Sequence, residues 1–343
     1  MKKNKSSWSS FPTLALISAS ALMLTSCGPG SDKTASVDPA HDTVRFGYVA
    51  ALAKAPVGPM GWALQKNLLQ PALAKIGINH VVLYPANIGP DLNEAFAAGS
   101  IDVATTGDVP GLIGKSAGLP IRLINLDITG INLAIVVRQD GPKSVDELVG
   151  RKVSTTPGTI VSHYLDGVLT EKGIAGKVTT VNLTSSAVEP ALLSGEIDAG
   201  VVTAPALYIQ RGFRVIDQAS DHENLTGNSI TVASESFLQA HPDFVTVWNQ
   251  VRAQAVADLQ AHPDDFYRYF AANSSYPAAL LPQLYPLQLF NPDPLPTLGV
   301  AALENAKTYL LNGHLIQQDF SIADWSVLPI PPPVSTAQNG ETK

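Results

Sequence analysis

The sequence predicts an α/β fold of two similar lobes, because one succession of helix, turn, strand and loop occurs twice along the 343 residues. The first copy ends in Gly99-Ser-Ile-Asp-Val-Ala-Thr-Thr-Gly-Asp-Val-Pro110 and the second in Gly195-Glu-Ile-Asp-Ala-Gly-Val-Val-Thr-Ala-Pro205. In both, a glycine suits the left-handed end of a helix, and the apolar run after it suits a buried parallel strand. We therefore expect two lobes, each a mixed but mostly parallel sheet flanked by helices, with a ligand cleft between them.

The composition fits two folded domains and argues against nucleic-acid binding. Apolar residues make up 45% of the chain and charged residues 15%, which allows a large core. The formal net charge is −7 at pH 7, whereas nucleic-acid binding needs clustered Lys and Arg. No nucleic-acid partner is therefore expected.

The amino terminus predicts export and lipid attachment. Met1-Lys-Lys-Asn-Lys5 is basic, and the apolar stretch after it is typical of a secretory signal but short for a membrane span. It ends in Leu24-Thr-Ser-Cys27, which resembles a bacterial lipobox; a chance cysteine near an ordinary cleavage site is the alternative. Residues 1–27 are thus a predicted lipoprotein signal with lipidation at Cys27, and residues 28–42 a flexible tether. Since Cys27 is the only cysteine, thiol chemistry is not expected in the folded part.

Residues 43–133 are predicted to form the first part of lobe 1. Four leucines from Leu64 to Leu73 share one helix face, and Pro90 suits the first turn of the next helix. Short apolar runs indicate the strands between the helices. The predicted strands are 44–49, 81–84, 101–105 and 121–125, and the predicted helices are 62–75, 90–99 and 109–117.

Residues 134–230 are predicted to form lobe 2, because the pattern of strands and helices restarts there. The strongly apolar Leu133-Ala-Ile-Val-Val137 indicates its first strand. The other predicted strands are 152–155, 178–183, 197–202 and 214–216, and the helices between them are 160–171 and a segment that ends at Ser194.

Residues 231–327 are predicted to return to lobe 1 and to add C-terminal helices. A strand at 230–233 leads into helices at 236–240, 242–262, 263–273 and 297–313. His241 and His262 each precede a proline that begins a helix, so we interpret them as helix-start residues and not as metal ligands. The crossings near Leu133 and Ile230 are the expected hinge, and residues 328–343 are predicted to be a Pro-rich, disordered tail.

The expected ligand site lies at the carboxyl ends of the strands, where helix N-termini also point. Unpaired N–H groups and the helix dipole favour an anion there. Hydroxyl and glycine loops from both lobes have this placement, which suits a sulfonate, sulfate ester, nitrate or phosphonate; ordinary helix capping is the alternative for each loop. The candidate residues in these loops are Gly89, Pro90, Thr106, Gly107, Asp108, Thr156, Gly158, Thr159, Ser185, Ser186 and Thr203.

Three side chains have two interpretations each. Asp108 either caps the helix that begins at Val109, which is the favoured role, or also contacts a ligand. His163 either donates to an anion, with pH-sensitive binding, or is an exposed helix residue. Asp127, just past a predicted strand, either points into the cleft or ends the strand.

The order of these motifs resembles the aliphatic-sulfonate, taurine and nitrate family of ABC-transporter substrate-binding proteins. The residues that carry the resemblance are Gly89-Pro-Asp-Leu-Asn-Glu-Ala-Phe-Ala-Ala-Gly-Ser-Ile-Asp102, Thr106-Gly-Asp-Val-Pro110, Ser144-Val-Asp-Glu-Leu-Val-Gly-Arg-Lys-Val153, Gly158 through Tyr164 and Ser194-Gly-Glu-Ile-Asp198. The resemblance implies a two-lobed type II periplasmic binding fold that closes on a ligand by hinge motion and delivers it to a permease. It also implies that residues 106–108 and 158–163 line the cleft, and that a monomer acts without cofactor, metal or catalytic residues.

The chain departs from the family pattern in two places. Where many members carry Trp-Asp-Pro-Tyr, this chain has Thr203-Ala-Pro-Ala, so we expect a ligand without an ammonium group. The loop at 50–61 is long and carries Lys54 and Met60; it forms either an apolar lid together with Trp62, or a loop beside a Trp62 that belongs to the core.

These observations predict an exported, lipid-anchored protein of the periplasm or cell surface. It captures a small organic anion, such as an aliphatic sulfonate, for an ABC permease and its ATPase. The alternatives are an enzyme or a pyrimidine-precursor binder on the same scaffold, and a ligand sensor for a membrane receptor. The enzyme is less favoured, because the sequence lacks a close His, Asp and Glu cluster at metal spacing.

Overall fold

A computed structural model describes residues 42–50, 53–222 and 225–332. The predicted lipoprotein signal, Cys27 and all of the predicted tether except Asp42 lie outside the described residues, as do residues 333–343 of the predicted tail. Residues 328–332 are described, and Leu328 packs half-buried against the core. In the described part of the chain, no helix is long and apolar enough to cross a membrane.

Lobe 1 is built on a five-stranded sheet in the order β2-β1-β3-β10-β4. β1 pairs in parallel with β2 and β3, whereas β10 is antiparallel to both β3 and β4. Its strands are β1 (Thr43–Val49), β2 (His80–Ala86), β3 (Val103–Gly107), β4 (Ile121–Ile131) and β10 (Gly227–Ser234). The helices before β4 are α1 (Pro59–Gln65), α2 (Leu69–Ala74), α3 (Gly89–Ala97) and α4 (Asp108–Ser116).

Lobe 2 repeats this plan in a second sheet, in the order β7-β6-β8-β5-β9. Here β5 is the antiparallel strand, paired with β8 and β9. The strands are β5 (Ala134–Val137), β6 (Lys152–Thr155), β7 (Thr179–Asn182), β8 (Ala199–Val202) and β9 (Arg214–Gln218). The helices are α5 (Ile160–Glu171), α6 (Ser185–Ser194) and α7 (Pro205–Gln210). The predicted fold of two mixed, mostly parallel sheets flanked by helices is therefore confirmed.

The chain crosses between the lobes twice, and each crossing delivers the antiparallel strand of the sheet it enters. β5 follows β4 after two residues, and β10 follows a segment that begins after β9. β10 pairs with lobe 1 strands from Gly227 onward, so the second crossing precedes the predicted position at Ile230.

The C-terminal helices pack mainly on lobe 1. They are α8 (Glu235–Ala240), α9 (Phe244–Ala261), α10 (Pro263–Ala272), α11 (Leu281–Leu284), α12 (Thr297–Asn312) and α13 (Ile322–Trp325). Of these, α11 and α12 also contact α7 and α5 of lobe 2. Trp248 on α9 is fully buried, with its ring centroid 5.1 Å from that of Phe46 on β1. Trp62 is also a core residue, and its indole Nε1 donates to Asp258 at 2.9 Å. Burial of these rings, which removes large apolar surfaces from water, fixes α1 and α9 against the sheet.

Two predicted elements differ most from the structure. The single helix predicted at 62–75 is two helices, α1 and α2, separated at Asn67, whose φ of 54° is left-handed. Pro71 lacks the N–H that would bond to the Asn67 carbonyl in a continuous helix, and its ring would clash with that carbonyl. β4 runs on to Ile131, six residues beyond the predicted strand end, because β10 pairs along its whole length.

Candidate functional site

A cavity of about 570 Å³ lies between the two lobes at the carboxyl ends of the central strands. Lobe 1 lines this interlobe cavity with β1, β3, β4, β10 and the loop at 53–61, and lobe 2 lines it with the loops that precede α5 and α6. The first residues of α3, α5 and α6 reach it as well. This is the position at which open α/β sheets bind ligands.

Nine of the thirteen ligand-binding candidates line the cavity. They come from both lobes: Gly89, Thr106, Gly107, Asp127, Thr156, Thr159, Ser185, Ser186 and Thr203. Pro90, Asp108, Gly158 and His163 are not among the lining residues. Gly158 faces Pro90 across the lobe boundary, since a Cβ at Gly158 would lie 3.6 Å from Pro90 Cγ. Gly158 has a φ of 72°, a left-handed turn that favours glycine.

The lobe 2 threonines serve both as caps and as cavity wall. Thr159 is the N-cap of α5; its Oγ1 accepts from the Val161 N–H at 3.2 Å and donates to the Thr156 carbonyl at 2.7 Å. Thr156 Oγ1 donates to the Leu183 carbonyl at 2.8 Å. These bonds fix the loop ahead of α5 and already use the protons of both hydroxyls.

The serine hydroxyls at the start of α6 together make fewer hydrogen bonds within the protein than the hydroxyls of Thr156 and Thr159. Ser186 Oγ lies 3.3 Å from Thr184 Oγ1, and both side chains line the cavity with Ser185. Helix α6 is ten residues long, and its N-terminal N–H groups and dipole point toward the lining residues. This end of the cavity therefore favours negative charge.

Thr106 carries an unsatisfied hydroxyl at the lobe 1 wall. Its Oγ1 is buried without a hydrogen-bond partner, while its carbonyl accepts from Ser229 Oγ at 3.3 Å. Gly89 lies directly opposite, since a Cβ there would be 2.8 Å from Thr106 Oγ1. A buried hydroxyl without a partner costs free energy, and a ligand acceptor at this wall would satisfy it.

Asp108 is held within the protein at the start of α4. Its Oδ1 accepts from the Val109 N–H at 2.7 Å, and its Oδ2 accepts from the backbone N–H and the side-chain amide of Asn228 at 2.8 and 3.0 Å. Burial raises its pKa to about 6, against the opposing effect of those hydrogen bonds. Asp108 thereby joins α4 to β10. The predicted capping role is wrong, because Asp108 is the first residue of α4, and the N-cap position is occupied by Gly107.

His163 packs between the lobes, beside the cavity. It is 3% exposed, and its ring centroid lies 4.5 Å from that of Tyr309 on α12 of lobe 1. Burial lowers its pKa to about 4. The interpretation of His163 as an exposed helix residue is therefore wrong, because α5 is covered by α12 at this point.

Asp127 lies within β4 and lines the cavity, so it does not merely end a strand. Behind it, Arg252 Nε lies 3.4 Å from Asp127 Oδ1, and both residues are nearly fully buried. Burial raises the pKa of Asp127, and the charge of Arg252 opposes that rise. This ion pair forms part of the lobe 1 wall of the site.

The loop at 53–61 forms an apolar wall of the cavity. Its lining residues are Ala53, Pro56, Val57, Gly58, Met60 and Gly61. An antiparallel bridge joins Ala53 to Ser274, and the Lys54 N–H donates to the Asn273 carbonyl at 2.7 Å. Of the two alternatives for this loop, the one with Trp62 in the core is confirmed, and Lys54 lies outside the lining set.

Two tyrosines of the site were missed by the sequence analysis. Tyr276 and Tyr285 line the cavity from the segment between α10 and α12, and Tyr276 hydrogen-bonds with both Tyr285 and the candidate Thr203. Each tyrosine precedes a proline. These two Tyr-Pro pairs in an irregular segment were the available signal, because proline keeps the residue before it out of helical conformation.

The chain matches a known family over more than half of its length. The family described as "NMT1/THI5 like" matches residues 74–266. A "Putative aliphatic sulfonates-binding protein" of Escherichia coli (strain K12) is 28% identical over 214 residues, or 60% of this chain and 63% of that protein. The match thus spans less than two thirds of that relative's own length.

Solved structures share the fold. The alkanesulfonate-binding protein SsuA from Xanthomonas axonopodis pv. citri, bound to MOPS, aligns with a TM-score of 0.69 at 21% identity, covering 83% of this chain and 98% of that chain. The desulfurization enzyme DSZB aligns with a TM-score of 0.64 at 17% identity, covering 84% and 96%. Binding proteins and an enzyme therefore use this architecture. From its family match, the chain itself belongs to the NMT1/THI5-like family.

Proposed function

We propose that this protein is the extracytoplasmic substrate-binding component of an ABC importer, and that it captures a small organic anion such as an aliphatic sulfonate. The observation that carries the proposal is the convergence of hydroxyls and helix N-termini from both lobes on one cavity with an apolar wall. Dipoles and N–H groups at helix starts bind an oxyanion, and the wall at 53–61 accepts its carbon part. The aliphatic-sulfonates-binding relative agrees with this ligand class.

Closure of the lobes around the ligand explains how both sets of groups act together. The crossings between β4 and β5 and between β9 and β10 are the hinge, and residues 43–133 with 231–327 move against residues 134–230. Capture and release then depend on the angle between the lobes, and the permease with its ATPase receives the ligand from the open form.

A thermal-shift panel tests the ligand class. Alkanesulfonates, sulfate esters, nitrate, phosphonates and thiamine precursors are added to the purified mature protein. A ligand at 100 times its Kd stabilises the fold by about 2.7 kcal/mol, which raises the Tm by several degrees. A rise with sulfonates supports the proposal, and a rise only with a heteroaromatic thiamine precursor would favour the pyrimidine-precursor binder.

We propose binding without turnover, although the desulfurization enzyme shows that the fold alone does not decide this. Mass spectrometry of a bound ligand after prolonged incubation tests it. Recovery of the unchanged ligand supports a binding protein, whereas a product at more than one equivalent per protein would identify an enzyme.

Lipid attachment at Cys27 and monomeric action complete the proposal. The mature protein is expected to carry a lipid on Cys27 and to partition into the membrane fraction of the periplasm or cell surface. The variant Cys27→Ser should appear in the soluble fraction with an otherwise normal Tm. An equal distribution of the two proteins would contradict the anchor, and light scattering measures the oligomeric state.

A further inference from the structure

Asp127 lines the interlobe cavity, and its carboxylate makes fewer hydrogen bonds than it can accept. Its side chain is 4% exposed, and its Oδ1 is buried without a hydrogen-bond partner. The nearest cation is Arg252 Nε at 3.4 Å, and that nitrogen also lacks a hydrogen bond. A carboxylate accepts several hydrogen bonds when it is satisfied, so the ion pair with Arg252 leaves Asp127 capacity to accept from a further donor.

Arg252 is the ion-pair partner of Asp127 and has only Nε to offer it, because its other nitrogens donate elsewhere. Nη1 donates to the Asn291 carbonyl at 2.8 Å, and Nη2 donates to the carbonyls of Leu126 and Asp127 at 2.9 Å each. The guanidinium is 1% exposed and stays charged. It therefore acts as a fixed positive charge behind Asp127, which favours the ionised carboxylate without satisfying it.

The backbone at Gly58 packs closely against this carboxylate. A Cβ at position 58 would lie 2.7 Å from Asp127 Oδ2, so only glycine lets the backbone approach so closely. Val57, Ile128 and Ile131 line the cavity around the same point. Apolar side chains consequently flank the carboxylate at this point of the cavity.

Asp127 is the single carboxylate among the described lining residues, and these include no Lys, Arg or His. A ligand whose only polar group is an oxyanion would offer Asp127 no donor, and no cation lines the cavity beside it. A ligand that also carries an N–H group would satisfy Asp127 by a charge-assisted hydrogen bond. The lining therefore offers two kinds of group: hydroxyls of both lobes and helix N-termini for the oxyanion, and the Asp127 carboxylate on β4 for an N–H group.

We infer that Asp127 is the specificity-determining residue of the site and selects ligands that carry a protonated nitrogen as well as the oxyanion. This inference rests on the proposed function, and it revises the expectation of a ligand without an ammonium group. That expectation came from Thr203 and its neighbours, whereas the acceptor lies on the opposite lobe. Arg252 is a positioning residue that acts through Asp127.

Matched ligand pairs test the inference on the purified mature protein by titration calorimetry at pH 7. The pairs are aminopropanesulfonate with propanesulfonate, and para-(aminomethyl)benzenesulfonate with para-toluenesulfonate. We expect the amine-bearing member of a pair to bind at least about tenfold more tightly, and Asp127→Asn to reduce that preference to about threefold or less, chiefly by weakening the amine-bearing ligand. Since the wild-type preference needs no variant, the test remains decisive if Asp127→Asn does not fold.

Asp102→Asn is the matched control. Asp102 is also a buried carboxylate of lobe 1 and pairs with Arg45, but it does not line the cavity. It should lower the Tm and leave the preference unchanged. Equal or tighter binding of the amine-free ligands by the wild type, or an equal loss for both members in Asp127→Asn, would overturn the inference while leaving the proposed function intact. Absence of binding by all four sulfonates would overturn the proposed function and the inference with it.

Discussion

Thr106 offers a direct test of the site, because its hydroxyl is buried at the cavity wall without a partner. Thr106→Val removes that hydroxyl at nearly constant volume. We expect the free energy of unfolding to stay equal or to rise by up to about 1 kcal/mol, and anion binding to weaken about tenfold. Chemical denaturation and calorimetry measure the two effects.

Thr155→Val is the control for this change. Thr155 Oγ1 is likewise buried without a partner, but Thr155 does not line the cavity. It should show the same effect on stability and leave binding unchanged. Equal binding by the Thr106 variant and the wild type would remove Thr106 from the site.

His163 predicts a loss of stability in acid. Its pKa in the folded state is about 4, against an ordinary value of 6.5. The unfolded chain therefore takes up the proton first as the pH falls through 6.5, and the stabilisation from the neutral folded ring is lost down to pH 4. With 1.36 kcal/mol for each pH unit, the loss is about 3 kcal/mol at most.

The variant His163→Phe should keep the ring contact with Tyr309 and lose this part of the pH dependence. Urea unfolding at pH 7 and at about pH 4.5 would then show a smaller difference for the variant than for the wild type. Identical pH profiles would show that another group controls the acid sensitivity. Asp166 on the same helix is not that group, because burial raises its pKa and its protonation in acid then favours the folded state.

At the scale of elements, the start of α3 depends on one close contact with α4. A Cβ at Gly89 would lie 2.3 Å from Pro110 Cγ, so Gly89→Ala forces the two helices apart. We expect a destabilisation of about 1–3 kcal/mol, together with weaker ligand binding, because the cavity wall moves with α3.

Gly107→Ala is the matched substitution at the neighbouring helix start. Its added Cβ would meet no atom closer than 3.4 Å, and its φ of −66° suits alanine. Thermal unfolding should separate the two variants by several degrees. A similar Tm for both would mean that the α3–α4 contact adapts without cost.

Local sequence rules predicted most of the helices and strands. They failed where a residue distant in the sequence determines the bounds of an element. Gly99 and Gly195 end their helices with φ of 65° and 77°, as the two sequence copies predict. Pro71 would have indicated the break between α1 and α2, but the leucine spacing suggested one helix. The extension of β4 was not predictable from its own residues, because its partner β10 lies about 100 positions later.

At the scale of the whole molecule, contacts between α5 and α12 hold the lobes together beside the cavity. The Tyr309 hydroxyl donates to the Asp166 carboxylate, next to the ring contact with His163. Tyr309→Phe removes the hydrogen bond and keeps the ring. We expect a population shift toward an open form and ligand binding weaker by about threefold to tenfold.

Small-angle scattering with and without ligand measures this shift. The ligand-free variant should have a larger radius of gyration than the wild type, and a saturating ligand should bring both to the same value. Tyr285→Phe, which alters a tyrosine of the opposite wall, controls for loss of any phenol near the site. Identical radii in all ligand-free proteins would exclude a role of α12 in closure.

The sequence predicted the position of the site better than its chemistry. Loops at strand ends converge by topology, so residues such as Thr106 and Ser185 could be named in advance. The pairing of Asp127 with Arg252 joins β4 to α9 over 125 positions, and no local pattern indicates it. Tyr276 likewise reaches the cavity through a long irregular segment, which periodicity does not describe.

The placement of β10 between β3 and β4 has a consequence for the order of folding. Asn228 on β10 hydrogen-bonds to Asp108, which is 120 positions earlier. The lobe 1 sheet therefore lacks the strand between β3 and β4 until β10 has joined it. Lobe 2 is one uninterrupted segment, and its most distant paired residues, Ala134 and Gln218, are 84 positions apart, so it closes shorter loops than β10 does, and these form faster. We therefore expect lobe 2 to fold first on refolding, while β3 and β4 expose unpaired edges that are open to aggregation.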